Sequence, residues 1–246
     1  MHRARWAMSV ICVMVSLANI PAEAAIARYG WNRVSTIGGG SCTGTTTRTC
    51  TGFDGGSGTD RVVVVGVGIP TSDLLTSASF GGVAMTCPAG ANIQDAGDRR
   101  VQFCYLLNSP SGVNDFVFEF SSSPDAFDPY AAAYSGVGSV ESVAEDSNAG
   151  TTSLPVSLST SANAVLVSYV RESSGTTVTW TNGITTELGT SGGVHFADSA
   201  GVTINAGTTT ITPTTGGAVI TAHVALSLAE PSNASPKLTL LGVGGQ

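Results

Sequence analysis

The sequence predicts an all-β protein, an antiparallel β-sandwich of jelly-roll or Greek-key type with about ten strands and very little helix. Short runs of β-branched or alternating apolar residues recur along the chain, and clusters of Gly, Pro, Ser and Asn separate them. Few windows carry the 3.6-residue apolar period of a helix. A closed barrel is the alternative architecture.

Two strands are clear in the sequence. Segment 61–69 is apolar at every position after Arg61, as in a central strand that is covered on both faces. Segment 115–120 alternates phenylalanines with mostly polar residues, which predicts a half-buried strand with one face exposed to solvent. The other candidate strands are 76–86, 101–107, 130–137, 154–158, 164–170, 177–181, 202–205 and 218–228.

The chain divides into four segments. Residues 1–24 resemble a secretory signal peptide, because Arg3 and Arg5 precede an apolar stretch that ends in the small-residue pattern Ala22-Glu23-Ala24. A membrane anchor is the alternative, although the stretch is short for a span. A Gly/Thr-rich segment, 25–59, packs on or leads into a single sandwich domain, 60–229, and a tail, 230–246, follows. We find no repeat at a fixed period.

The number and spacing of the cysteines agree with a protein that is exported and forms disulfides. Four remain after residue 24, and four allow three pairings. Cys42 and Cys50 bracket a small loop of seven residues, whereas Cys87 and Cys104 flank sixteen residues that we interpret as the connection of a hairpin. We expect disulfides in these two pairs, since zinc sites usually present cysteines two to four residues apart.

The composition excludes several classes of function. Only 11% of the residues are charged and the net charge is -7, with a single lysine, Lys237. Such a chain lacks the clustered basic residues that bind nucleic acid. Its apolar fraction of 42% argues against intrinsic disorder. No apolar run after the signal peptide is long enough to span a membrane, so we expect no integral span. The scarcity of acid–base groups disfavours catalysis, and we assign no catalytic residue.

Three short motifs carry a resemblance. They are Phe80-GGVAMT, Tyr105-LLNSPSG and Tyr134-SGV. Together with the strands around them, over about residues 61–228, they resemble a β-sandwich module of secreted or surface bacterial proteins. The resemblance implies a part of a surface, adhesive or polymer-associated protein, and it implies no catalytic motif.

Two kinds of site are candidates. Acidic, Gly-bearing loops could hold calcium, which prefers several oxygen ligands in extracellular modules. The residues that could supply them are Asp54, Asp60, Asp95 and Asp98. An exposed aromatic ring could instead stack on a sugar, and Trp31 and Tyr130 are the candidates. We therefore expect either no cofactor or calcium.

The leading functional hypothesis is a secreted or surface-exposed, non-catalytic structural or binding module. Its expected partners are a polysaccharide or other surface proteins, and self-association through exposed strand edges is a further possibility. The alternative is a secreted carbohydrate-active enzyme or a carbohydrate-binding module of jelly-roll type. An enzyme would need two carboxylates across a sugar-sized cleft.

Overall fold

The computed structural model describes residues 25–34, 42–70, 72–95, 99–172, 175–184, 186–191, 193–217 and 220–232. Within these ranges seventeen strands form four sheets, and every strand pair is antiparallel. The all-β, antiparallel class that the sequence predicts is confirmed. No helix in the described ranges is long and apolar enough to cross a membrane.

The first nine strands build one unit. They are β1 (Ala27–Arg33), β2 (Thr47–Asp54), β3 (Val62–Pro70), β4 (Leu75–Phe80), β5 (Val83–Ala84), β6 (Asn92–Gln94), β7 (Arg99–Leu107), β8 (Val113–Phe120) and β9 (Asp128–Ser135). A 3-10 turn, Ala89–Ala91, leads into β6. One sheet has the order β1-β9-β3-β7-β6, and the other has the order β2-β8-β4-β5.

The last eight strands build a second unit. They are β10 (Ser139–Thr151), β11 (Val156–Thr160), β12 (Val165–Glu172), β13 (Val178–Thr181), β14 (Thr186–Ser191), β15 (Val194–Asp198), β16 (Gly207–Thr215) and β17 (Ile220–Ala229). Their sheets have the orders β10-β17-β12-β15-β14 and β11-β16-β13.

The two units have the same strand order. The two-residue strand β5 has no counterpart in the second unit. When it is left out, the remaining eight strands correspond in chain order, from β1 and β10 to β9 and β17. Strands that are neighbours in a sheet of one unit then correspond to neighbours in the other. No strand pair in the described ranges joins the two units. The chain therefore contains a structural repeat that its sequence does not display, because strand order depends on pairing and leaves little trace in residue identity.

The four sheets stack as four layers, and apolar clusters fill the gaps between them. A central core lies between the two five-stranded sheets and joins residues such as Phe103 and Tyr134 of the first unit to Tyr169 and Phe196 of the second. A Phe-rich core lies between the sheets of the first unit. The core of the second unit is smaller and largely aliphatic.

This stacking explains the continuous apolar run of β3. Val62, Val63, Val64 and Val65 are all unexposed, because alternate side chains enter the central core and the Phe-rich core. The predicted central strand is confirmed. The predicted half-buried strand is confirmed as well, since the phenylalanines of β8 are buried while Asp115 and Glu119 are exposed.

The prediction of one sandwich with about ten strands is wrong. Several strands are polar or Gly-rich, among them β1, β2, β14 and β16, and the sequence pattern alone does not distinguish them from loops. The segment 25–59 supplies β1 and β2 as strands at the edges of the two N-terminal sheets. Residues 1–24 and 233–246 lie outside the described residues, so the signal peptide and most of the tail remain predictions.

Both predicted disulfides are present. Cys42 is bonded to Cys50, and Cys87 is bonded to Cys104. Cys50 and Cys104 belong to the Phe-rich core and are almost completely buried, whereas their partners lie at its border. Two structural disulfides indicate an oxidising environment, as expected for a protein outside the cytoplasm.

Candidate binding groove

A groove opens along one edge of the first unit, between β1 of the inner sheet and β2 of the outer sheet. It encloses about 260 Å³, and its described lining comes from Tyr29 to Asn32 on one side and from Gly52 to Asp54 on the other. Both strands are the first in their sheets, so each presents backbone groups that no neighbouring strand uses. The edges of two stacked sheets thus form the two walls.

Two aromatic rings stand at this groove. Tyr29 is 51% exposed and Trp31 is 45% exposed, and they are the only aromatic residues among the large exposed apolar residues of the described chain. The strand register shifts between Arg28 and Gly30, and such an irregularity turns a side chain away from its regular position. The groove therefore has the exposed Tyr29 and a partly polar wall on one side of β1, while the exposed ring of Trp31 lies beside it on the face of β1 that is turned to the second unit.

The rings of Tyr29 and Trp31 each pack against a glycine, which leaves room for the ring. A Cβ added to Gly56 would lie 2.8 Å from Cγ of Tyr29, and the φ of Gly56 is +84°, a conformation that disfavours other residues. A Cβ added to Gly189 of β14 would lie 3.3 Å from Cζ3 of Trp31. Tyr29 therefore rests on the first unit, and Trp31 rests on the edge of the second.

Polar groups complete the groove. Asn32 and Asp54 lie on opposite walls. The Oδ1 atom of Asp54 accepts a hydrogen bond of 3.0 Å from the backbone N–H of Gly56, which holds the carboxylate in place. Among the described lining residues Asp54 supplies the only carboxylate, so this lining does not provide the pair of carboxylates that glycoside hydrolysis requires.

The corresponding gap in the second unit is closed. There β10 and β11 take the places of β1 and β2, and the hydroxyl of Ser142 donates to the carbonyl oxygen of Ser159 at 2.8 Å. Oε1 of Glu141 accepts hydrogen bonds from the N–H of Ser161 and the hydroxyl of Ser227 at 2.8 and 2.7 Å. The open groove is therefore a property of the first unit and not a consequence of the shared strand order.

Tyr130 does not line the groove. The prediction of an exposed ring is wrong, because Asp128 and Pro129 begin the central strand β9 instead of forming a loop. Tyr130 is 2% exposed and its ring lies 6.2 Å from that of Phe196 and 6.4 Å from that of Tyr169. The sequence predicted the exposed Trp31 but missed Tyr29, whose exposure depends on the irregular register of β1.

Calcium was expected in two loops, one with Asp54 and Asp60 and the other with Asp95 and Asp98, and the structure describes three of these four aspartates. Asp54 lies in the groove, and Asp60 occupies a turn with φ +51° whose carbonyl accepts the N–H of Val137. The carboxylate of Asp95 accepts hydrogen bonds from the N–H of Arg99 and the hydroxyl of Thr221, and Asp98 lies outside the described residues. The described ranges contain no group of three Asp, Glu, His or Cys side chains placed to hold a metal. Calcium binding remains a prediction.

Two buried polar clusters lie away from the groove. Nε2 of His223 is 2.8 Å from Oγ of Ser168, and Nδ1 is 2.8 Å from the carbonyl oxygen of Leu154. Because a carbonyl can only accept, Nδ1 carries the proton and Nε2 accepts the serine hydroxyl. Burial lowers the pKa of His223 to about 4, partly offset by the hydrogen bond to Leu154. Ser168 and His223 are both unexposed, so this pair is a hydrogen bond of the core and not an accessible nucleophile.

The second cluster surrounds His195. Its Nδ1 lies 2.6 Å from Oε1 of Glu187, and its Nε2 lies 3.7 Å from Oε1 of Glu172. His195 is 1% exposed and Glu172 is unexposed. The cluster fixes the ends of β12, β14 and β15 relative to one another, which positions Gly189 of β14 beneath Trp31.

The fold and the groove define a class, an all-β protein of stacked antiparallel sheets with an aromatic groove at one edge. No protein-family model, no curated protein and no solved structure matches the chain. The chemistry of the groove is therefore the basis for inferring a function.

Proposed function

We propose that the protein is a secreted, non-catalytic binding module that holds a carbohydrate chain in the groove between β1 and β2. The exposed pair of Tyr29 and Trp31 on the edge strand β1, beside the groove, is the observation that carries this proposal. An aromatic ring offers an apolar face to the C–H groups of a sugar, and neighbouring polar groups then orient its hydroxyls.

The geometry of the two rings supports a chain and not a single small molecule. Tyr29 and Trp31 are two residues apart on a strand, which separates their Cα atoms by about 7 Å. The groove is open to solvent along the edge and follows the strand, so a ligand could extend past both rings. Asn32 and the fixed carboxylate of Asp54 are within the same lining and could accept or donate hydrogen bonds to sugar hydroxyls.

The architecture is consistent with this role. We assign the first unit to the jelly-roll type. Its first strand pairs with its last, and each of its sheets has four members once β5 and β6 are taken as parts of one strand. The second unit keeps the same neighbour relations, with five strands in one sheet and three in the other. Lectin domains use this type of fold, although fold alone never establishes function. The predicted signal peptide and the two disulfides support a location outside the cytoplasm.

A glycan array tests the proposal. The mature protein, purified with its disulfides formed, is applied beside Trp31→Ala, Tyr29→Ala and the control Val113→Ala, which truncates an apolar side chain that is 67% exposed outside the groove. We expect one class of glycan to be retained by the wild type and by Val113→Ala. Each aromatic variant should bind at least about tenfold more weakly.

Two results would refute the proposal. One is the absence of any bound glycan at protein concentrations that detect weak binding. The other is a bound glycan whose affinity is unchanged in both aromatic variants. Melting curves of all four proteins establish that the variants are folded.

A further inference from the structure

Gly30 lies in the middle of β1, on the face of the strand that is turned to the groove. It pairs with Ala133, and Asn32 pairs with Ala131, and both alanines belong to the Phe-rich core. Because paired residues of antiparallel strands share a face of the sheet, a side chain at position 30 would extend on the same side as that of Asn32. Gly30 and Asn32 both belong to the described lining of the groove.

The fold does not require a glycine at position 30. An added Cβ would meet no atom of the described residues within 4 Å, and the φ of Gly30 is outside the left-handed region that favours glycine. The nearby glycines differ, since Gly52 on the opposite wall has a φ of +87° and Gly56 beside Tyr29 has a φ of +84°. Glycine weakens a strand, because it loses more conformational freedom on folding than other residues do. Packing and backbone conformation thus leave the absence of a side chain at position 30 unexplained.

The missing side chain leaves space between two exposed aromatic residues. Tyr29 and Trp31 precede and follow Gly30 in the sequence. The ring of Tyr29 packs on Gly56 of the first unit, whereas that of Trp31 packs on Gly189 of the second. A ligand that touches both rings must therefore cross β1 at Gly30. Glycine allows a ligand to approach the backbone closely, and a side chain at this position would stand in its path.

The backbone of β1 can bond such a ligand. β1 is the first strand of its sheet, so the backbone groups along its free edge have no strand partner among the described residues. Sugar hydroxyls both donate and accept hydrogen bonds, and they match the N–H and C=O groups of such an edge. Asn32, on the same face as Gly30, adds a side-chain amide. The stretch from Tyr29 to Asn32 thus offers an aromatic ring, an uncovered backbone and an amide in a row.

The size of the groove limits what fits over Gly30. The groove encloses about 260 Å³. Pockets that enclose a whole drug-sized ligand start at about 300 Å³. The groove therefore has room for a small part of a polymer, while the rest of the chain stays outside. A side chain at position 30 would project into this volume and reduce it.

The charges at the groove favour a neutral ligand. Asp54 is the only charged residue of its described lining, and Asp115 of the neighbouring strand β8 accepts a hydrogen bond of 3.1 Å from the N–H of Gly52. The two arginines of β1 do not offset these carboxylates, because they pair with Asp198 and Asp128 on the face that is turned to the second unit. The whole chain also carries a net charge of -7. An anionic ligand would therefore be repelled.

We infer that Gly30 is a specificity-determining residue of the groove and that the ligand is a neutral polysaccharide. A sugar ring of the chain lies over the backbone of Gly30, against Tyr29, and the chain crosses β1 toward Trp31. This inference rests on the proposed function, because it places the carbohydrate chain of that proposal at one position of β1.

Calorimetry with substitutions of Gly30 tests the inference. The probes are the neutral oligosaccharides cellohexaose, xylohexaose, maltohexaose and N-acetylchitohexaose, together with the anionic hexagalacturonate, each titrated into the mature protein at low salt. We expect at least one neutral probe to bind at least about tenfold more tightly than hexagalacturonate. Gly30→Val should weaken the binding of that probe at least about tenfold, because its side chain overlaps the sugar, and Gly30→Ala should weaken it by a smaller factor.

Melting curves separate a role in binding from a role in folding. Gly30→Val should melt at the temperature of the wild type or higher, since a β-branched residue then replaces a glycine that the strand does not need. The control is Gly216→Val. An added Cβ at Gly216 also meets no described atom within 4 Å, no positive φ is required there, and Gly216 is not part of the described lining. This control should bind the neutral probe like the wild type.

The failure of this inference differs from the failure of the proposed function. The inference would be overturned by unchanged affinity in Gly30→Val, by a lowered melting temperature of that variant, by hexagalacturonate binding as tightly as the neutral probes, or by failure of all four neutral probes to bind. Each of these results leaves the proposed function standing as long as the glycan array yields a ligand that depends on the aromatic residues. A glycan array without any ligand would overturn the proposed function, and the inference with it.

Discussion

Arg28 and Asp198 are 170 residues apart in the sequence, yet Nη1 of Arg28 lies 2.5 Å from Oδ1 of Asp198. Arg28 belongs to the first unit and Asp198 to the second. The hydroxyl of Tyr134, also of the first unit, donates to the other oxygen of the same carboxylate at 2.8 Å. A fully buried carboxylate thus holds two strands of one unit against the other, which keeps Gly189 of the second unit under Trp31 of the first.

Removing this carboxylate should destabilise the whole protein. We expect Asp198→Ala to lower the free energy of unfolding by about 3 kcal/mol, because it leaves the Arg28 charge and the Tyr134 hydroxyl without their acceptor. Urea denaturation measures the change. The comparison variant is Asp128→Asn, whose ion pair with Arg33 is partly exposed and should contribute about 1 kcal/mol or less. Equal losses in the two variants would contradict the central role of Asp198.

Tyr134 should limit stability at alkaline pH. Burial, together with the nearby charge of Asp198, raises the pKa of Tyr134 well above its ordinary value of 10.0. Above pH 10 the unfolded chain loses this proton while the folded chain keeps it, so the free energy of unfolding falls as the pH rises. Tyr134→Phe should weaken this alkaline decline in urea titrations. An identical slope in the variant would show that other groups cause the decline.

His223 should limit stability at acidic pH. Its pKa is lowered from 6.5 to about 4 by burial. As the pH falls from 6.5 toward 4 the unfolded chain binds a proton that the folded chain does not, so stability is lost over this window by up to about 3 kcal/mol. His223→Gln should be less stable at neutral pH and should show a flatter acidic profile. A profile as steep as that of the wild type would assign the loss to carboxylates instead.

Gly189→Ala should weaken glycan binding from a position that is outside the groove. Its Cβ would lie 2.4 Å from Cε1 of Tyr130 and 3.3 Å from Cζ3 of Trp31, so a ring must move. We expect at least about a threefold loss of affinity together with a shift in tryptophan fluorescence. The control is Gly216→Ala, where a Cβ meets no atom within 4 Å and no positive φ is required. An unchanged spectrum and affinity in Gly189→Ala would show that Trp31 does not depend on this support.

The two disulfides should contribute unequally. Cys87–Cys104 closes a longer loop than Cys42–Cys50, with a sequence separation of 17 against 8. Replacing both cysteines of the longer loop by alanine should cost about 3 kcal/mol, and replacing those of the shorter loop somewhat less. Urea denaturation of the two double variants under oxidising conditions tests the order. A larger loss from the shorter loop would indicate that local packing dominates over loop entropy.

Sequence patterns recovered the strands that carry strong hydrophobic signals. β3, β8, β12 and β17 were predicted because burial on one or both faces requires apolar residues in a regular order. β14 and β16 were missed, because β14 is an edge strand with few apolar side chains and β16 consists mostly of threonine. The site was recovered in part. Trp31 was a candidate, but Tyr29 was not, because its exposure depends on the irregular register of β1.

The sequence by itself determined the all-β class and the central strand β3, because period-two burial is a local property of the chain. It indicated the pairing of the cysteines, which the structure then showed. Only the tertiary structure decided that the strands divide into two units of the same order, and that β1 carries its aromatic rings to an open edge. It also decided that Arg28 of the first unit pairs with Asp198 of the second. These features arise where sheets from distant segments stack, and the free energy of stacking depends on the shape and charge of whole faces, which a linear pattern does not encode.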